Sequence, residues 1–525
     1  MDITRRDFAK FGAAAAAAAS IGGLAGCAGG SGSGGSGAGA KAVIEEAIAA
    51  EPPMLDSILT VSSVAHDIMS NVVEPLFTLN ADYEPVCMLA ESYELSDDGT
   101  VYAIKLREGV KFHNGDEMTA ADVVASMNRW LQNNSRAKTL LAGAAFEEAG
   151  DYAVTLTLPA PASDTPILLA THSQYPGILP KSVVEAADAE KGISDYIGTG
   201  PYMFSEWKSG SFIELTRFAD YASRDEEPSG FSGAKKAPTE TLRFQVSTDT
   251  STRVSGLQTG EYDVADEVPT ERYAELAADD ETALFTRNAG ILAAFLNTKQ
   301  GPLANEALRH AVMSALDFDA VMKAAFGDSD LYTLDHGFMN PAQEQWKSDA
   351  GAQYYNHQDQ GEVERYLAEA GYAGETITLM TTPDYQEMYA ATVAVQQQLS
   401  DAGISAEIAS YEFATMMDYR ANDLGKWDFF IASTGYQLTP PLILAVTPSF
   451  YGNDDAEVAS GVAAVHAAAT EQEASEAWAK VQQRLYDTAA AWPFGHYMVV
   501  VGTTPSIEGF EYFLAPVLWN ASVPQ

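Results

Sequence analysis

Val154, Leu156 and Leu158 alternate with Thr155 and Thr157, the two-residue period of a strand with one buried face. Tyr102, Ile104 and Leu106 carry the same period upstream. A helical period takes over later, where Met388, Thr392, Val395 and Leu399 recur between an apolar run at 377–379 and another at 404–408. Gly403 marks the end of that helix. The order strand, helix, strand predicts a βαβ unit and a locally parallel sheet. Thr119-Ala-Ala-Asp122 before Val123 and Val124 spells a capping box, with Thr119 as N-cap and Asp122 at the third helical position. Gly260 stands where a helix should stop, and the glycines of Gly198-Thr-Gly200-Pro201 are expected to supply positive φ in a tight turn. Strands and helices mix, and no internal repeat is visible.

The first 27 residues follow another logic. Thr4-Arg5-Arg6-Asp7-Phe8-Ala9-Lys10 precedes an Ala/Gly-rich run, and Leu24-Ala25-Gly26-Cys27 closes it. The opening resembles a twin-arginine export signal, and the close resembles a lipobox whose Cys27 thiol would be diacylated. The run at 11–26 is too short and too weakly apolar to span about 30 Å of hydrocarbon, so it reads as a processed signal. Two acyl chains give a stable anchor. Residues 28–40 read as a Gly/Ser linker, with a mean reach of about 20 Å. The expected location is extracytoplasmic, on the outer face of the cytoplasmic membrane.

Charge and cysteine refine this picture. The 525-residue chain carries a formal charge of −43. Loss of Arg5, Arg6 and Lys10 against Asp2 and Asp7 would make it −44. So acidic a surface repels nucleic acid and anionic lipid. With Cys27 given to lipid, Cys87 has no partner within the chain, so an apolar core must supply the stability. Cys87 itself is expected to be a small buried apolar residue.

The block from Leu89 through Trp130, LAESYELSDDGTVYAIKLREGVKFHNGDEMTAADVVASMNRW, resembles the family 5 extracellular solute-binding proteins, the peptide- and nickel-type binding components of ABC importers. Ordered blocks at 197–221, 257–269, 296–318 and 395–408 extend the resemblance over essentially all of 42–525. It implies an α/β, two-lobed periplasmic-binding-protein fold of the large type, with a hinge between lobes. Lobe I would comprise 41–76, 196–289 and 490–525, with an inserted subdomain at 77–195. Lobe II would comprise 290–489. The implied partners are a small-molecule or peptide solute, permease subunits with cytoplasmic ATPases, and the membrane through the lipid anchor. The binding protein would be a monomer without cofactor, metal or nucleic acid. A tethered sensor or pheromone receptor on the same fold is the alternative.

The resemblance also nominates pocket residues. Asp428-Phe-Phe-Ile-Ala-Ser-Thr-Gly-Tyr-Gln-Leu-Thr-Pro-Pro441 is similar to a segment whose Asp pairs with a peptide's α-ammonium in oligopeptide-binding relatives. Gapless counting puts Thr434 at a Trp position and Gln437 at that Asp position. No acid occurs between Asp428 and Asp454, and a buried ammonium without a counter-charge is costly. Phe413 matches a pocket aromatic or packs in the core. Arg420 and Arg136 either clamp an anion or pair with structural acids. His66 faces the cleft or is a satisfied structural histidine; Tyr175 and Tyr436 stack on ligand or are half-buried. No GxSxG, HExxH or GxxxxGK[ST] motif occurs, and the eight histidines never pair at metal spacing. An enzyme is not expected.

Overall fold

The computed structural model describes residues 40–524; the arginine pair, Cys27 and most of the linker lie outside them. A single mixed sheet runs through the described chain. One end holds Ala406–Ser410, Ile377–Thr381 and Phe429–Gly435, paired in parallel. The other end holds Val43–Ile48 and Thr241–Val246 in parallel, continued antiparallel by Phe212–Arg217 and Tyr202–Lys208. Two long antiparallel strands, Ala283–Leu296 and Ala491–Thr503, join the ends. Residues 290–296 of the first pair with 429–435 at one end. Residues 502–503 of the second pair with 264–265 at the other. Their register slips between Asn288 and Gly290 and again between Leu292 and Ala293; such bulges bend a strand and raise its twist. Gly290 is required there, because a Cβ would stand 2.0 Å from the Thr434 carbonyl oxygen.

The local expectations can be checked directly. Helix Gln386–Asp401 buries Met388, Thr392, Val395 and Leu399, and the flanking strands are parallel. The second strand starts at Ala406, two residues later than the apolar run suggested. The capping box forms, with the Thr119 N–H donating to Asp122 Oδ2 at 2.9 Å. Gly260 has φ +74°. Gly198 and Gly200 do not have positive φ: they are needed because a Cβ would meet the Val72 carbonyl at 2.1 Å and the Asn71 carbonyl at 2.5 Å. Crowding, not handedness, selects glycine there. Cys87 is half-buried rather than fully buried, and burial pushes its thiol pKa up.

Three apolar clusters hold this framework. One packs the helices and strands around Leu292, Phe295, Phe430, Trp478 and Trp492. A second lies under the opposite end of the sheet, around Ile44, Tyr202, Phe244 and Trp519. A third joins helix Ala120–Asn133 to a separate antiparallel sheet, ordered Ala90–Leu95, Val101–Leu106, Ala153–Thr157, Ala145–Gly150.

A buried polar knot ties segments far apart in sequence. Glu74 Oε1 lies 3.2 Å from Lys235 Nζ, and both side chains are almost wholly buried. Tyr221 donates to Glu74 Oε1 at 2.7 Å and Thr199 to Oε2 at 3.0 Å, while Lys235 sits 4.5 Å above the Trp519 ring. Breaking one half of such a pair strands a buried charge, at a cost of about 3–5 kcal/mol. Lys235→Met should therefore destabilise the protein by about that amount in urea titrations. Adding Glu74→Gln should restore most of it, and equal midpoints for the single and double variants would contradict this.

Candidate functional site

The two ends of the sheet face each other across the long strands, and several contacts bridge the gap. Arg136, in the short helix Ser135–Leu140, donates from Nη2 to Gln437 Oε1 at 3.0 Å. Ser163 donates through its N–H to the His466 carbonyl and through its hydroxyl to the Val465 carbonyl. His466 Nδ1 lies 2.9 Å from Asp164 Oδ1. These partners are some 300 residues apart in sequence, and they hold the two sides closed upon each other.

The sequence-nominated residues divide into three groups. Thr434 ends the strand Phe429–Gly435, and Tyr436 and Gln437 follow it into the bridged region. There Gln437 is engaged by Arg136, and its own Nε2 donates to the Gly435 carbonyl at 3.2 Å. Tyr436 stacks on His496 and hydrogen-bonds its Nδ1 through the hydroxyl. Phe413 and Arg420 share helix Phe413–Asn422. Phe413 packs edge-on against Tyr385, and Arg420 lies over the Phe450 ring at 4.3 Å while donating to the Phe450 carbonyl.

His66 and Tyr175 form the third group, and both are turned inward. His66 Nε2 lies between the Thr60 carbonyl (3.1 Å) and the Gln174 N–H (3.2 Å). Burial, reinforced by His172, holds its pKa down to about 4, so the ring is neutral at physiological pH. Tyr175 packs into the second core, where burial raises its phenol pKa. Both side chains are therefore buried in this structure.

Sequence reasoning missed a cavity of about 420 Å³ where the long strands meet the Val43–Ile48 end of the sheet. Asp67, Asp266, Arg287 and Tyr512 line it. Asp67 Oδ1 pairs with His172 Nε2 at 2.9 Å. Asp266 is pushed up to about 7, by burial first and then by Asp67 and Glu267. Arg287 lies 5.0 Å from the Tyr512 ring, and its Nε is buried without an acceptor. Asp266 falls within the family block at 257–269. Arg287 was detectable only as a lone base at the polar end of an apolar strand.

Among the described residues, no group of three His, Cys, Asp or Glu side chains is placed to hold a metal ion. Two α/β lobes joined by paired strands make up the fold. The chain matches the model of the bacterial extracellular solute-binding proteins, family 5, over residues 84–456, and it belongs to that family. It is a binding protein, not an enzyme. A relative from Sinorhizobium fredii, named a probable peptide ABC transporter periplasmic-binding protein, is 26% identical over 89% of this chain and 91% of its own. The glutathione-binding protein GsiB of Salmonella typhimurium is 31% identical over 66% of each. The fold matches the substrate-binding protein CtaP of Listeria monocytogenes, with TM-score 0.80 and 20% identity, over 93% of this chain and all of that one. It also matches NikA of Brucella suis, solved with Fe(III)-EDTA, with TM-score 0.76 and 20% identity, over 92% of this chain and all of that one.

The bridge between Asp164 and His466 titrates. The Asp164 carboxylate raises the His466 pKa above its ordinary value of 6.5. A raised histidine pKa means that its contribution is complete below 6.5 and fades as pH climbs through the raised value. The histidine side chain is 27% exposed, so the pair is worth about 0.5–1 kcal/mol. Small-angle scattering should show a more compact protein at pH 6 than at pH 9. His466→Asn should remove most of that difference; an unchanged pH dependence would rule the bridge out as its source.

Proposed function

We propose that this chain is the lipid-anchored, twin-arginine-exported substrate-binding component of an ABC importer for a peptide-like, metal-chelate or related small solute. Family membership over most of the chain carries the reading, and the relative from Sinorhizobium fredii is named for such a transporter. The division into lobe I, its insert and lobe II, with the hinge in the long strands, belongs to the same proposal. The bridges from Arg136 to Gln437 and from Asp164 to His466 support it, because they are contacts of a closed pair of lobes. The solute would lie between the lobes, with Thr434, Tyr436 and Gln437 along one wall and Arg136 reaching Gln437 from the other side. Phe413 and Arg420 would stand further out, and His66 and Tyr175 would back the opposite wall. An uncharged amide at 437, already engaged by an arginine, offers no counter-charge to an ammonium. Simple recognition of a peptide's free amine at that position is therefore not part of the reading. The acidic surface suits a monomer in the extracytoplasmic space, meeting permease subunits at the membrane.

Anchoring and route have separate tests. Cys27→Ser should abolish incorporation of a fatty-acid analogue and shift the protein out of the membrane fraction; undiminished label in the variant would overturn the anchor. Replacing Arg5 and Arg6 together by lysine should strand precursor in the cytoplasm. Normal export of that variant would point to the general secretory route.

A further inference from the structure

The cavity beside the long strands is lined by charges of both signs that do not neutralise one another. Among the described residues, no carboxylate comes within ion-pair distance of the Arg287 guanidinium. Its one hydrogen bond is a long contact of 3.5 Å from Nη1 to the carbonyl of its own neighbour, Asn288. Its Nε is buried without an acceptor. A buried donor left unmade is costly, and the Tyr512 ring lies 5.0 Å from the guanidinium. Across the cavity Asp266 has no basic partner, although it is close enough to Arg287 to feel its charge. Asp67 commits Oδ1 to His172.

These features select a ligand by exclusion. A bare cation would be drawn to Asp266 and Asp67 but repelled by Arg287. A simple anion would suit Arg287 but face the carboxylates of Asp67, Asp266, Glu267 and Glu271. A ligand group carrying both charges satisfies each side. The available space limits how far apart its charges can be. The ends of an extended tripeptide lie about 10 Å apart, whereas a cavity of about 420 Å³ is near the small end of the range for ligand sites. Both charges must therefore sit close together.

We propose that this cavity holds an α-amino-acid head group, an ammonium and a carboxylate on one carbon, with the carboxylate on Arg287 and the ammonium on Asp266 beside Asp67. The rest of the solute extends from the head toward the Tyr436 wall. Val268, Met498 and Leu514 supply the apolar sides of the cavity. Ordinary α-linked peptides lack such a head, because amide bonds separate their terminal ammonium from their terminal carboxylate. A γ-glutamyl peptide has one. The proposal rests on the reading of this chain as a binding protein for peptide-like solutes, and it specifies which feature of the solute is recognised.

Two isomers of one composition provide the test: γ-Glu-Cys-Gly, and α-Glu-Cys-Gly, which carries the same ionisable groups on a different skeleton. Calorimetry on the whole folded protein should show the γ isomer binding at least tenfold tighter. Arg287→Met and Asp266→Asn should each weaken the γ isomer at least tenfold and bring the ratio of the two affinities near one. Arg287→Lys, which keeps the charge but loses the fork, should restore part of the preference and guards against misreading a folding defect. Equal affinities in the unmutated protein, or a ratio untouched by both variants, would overturn the assignment while leaving the peptide-binding reading intact. Binding of neither isomer would overturn the assignment as well. The broader reading fails separately, if no member of a mixed di- to pentapeptide library raises the melting temperature.

Discussion

The ladder between Ala283–Leu296 and Ala491–Thr503 is the constraint on which the rest of the molecule depends. It is the only stretch of the sheet that belongs to both ends at once. Its residues are almost fully buried toward Leu296 and half-buried toward Ala283. The same hydrogen bonds that give the sheet continuity therefore fix where the two apolar cores stand. The bulge between Asn288 and Gly290 falls beside the cavity, where the register changes hand-over from one end to the other. Gly290 permits that passage because the Thr434 carbonyl leaves no room for a side chain. In the proposed hinge, a bend placed there would move whole lobes rather than loops.

The electrostatics divide along the same line. Structural charges are matched in compact sets: Asp56 receives both terminal guanidinium nitrogens of Arg129 and three backbone N–H groups besides. Arg243 is shared between Glu45 and Glu214. In contrast, Arg136, Arg287 and Arg420 have no carboxylate partner, in a protein with 15 arginines and 73 acidic residues. Burial lowers the pKa of Arg136 and Arg420. Arg107, Arg217 and Arg253 also lack a carboxylate, but their guanidinium groups donate to backbone carbonyls instead.

What could be read from the sequence was local or familial. The capping box at Thr119, the βαβ unit whose helix stops before Gly403 and the stop at Gly260 each depend on a few neighbouring residues, and each formed. The ordered blocks located the family and its two-lobed fold. The glycines at 198 and 200 were recognised as a turn for the wrong reason, because the chain that crowds them lies more than 120 residues upstream. Arg136 meeting Gln437, or Lys235 meeting Glu74, has no local signature at all. Such contacts follow from the sheet order, which periodicity does not encode. His66 was similarly ambiguous, since a histidine on a short apolar helix looks the same whether it faces a cleft or a core.

The central claim is that this chain carries a solute between its lobes and leaves it chemically unchanged. Native mass spectrometry of protein isolated gently from its own cells tests that most directly. The account predicts one small solute per chain, held without a covalent bond and released intact when the protein unfolds. A chain that never carries a solute, or one whose solute emerges altered, would contradict it.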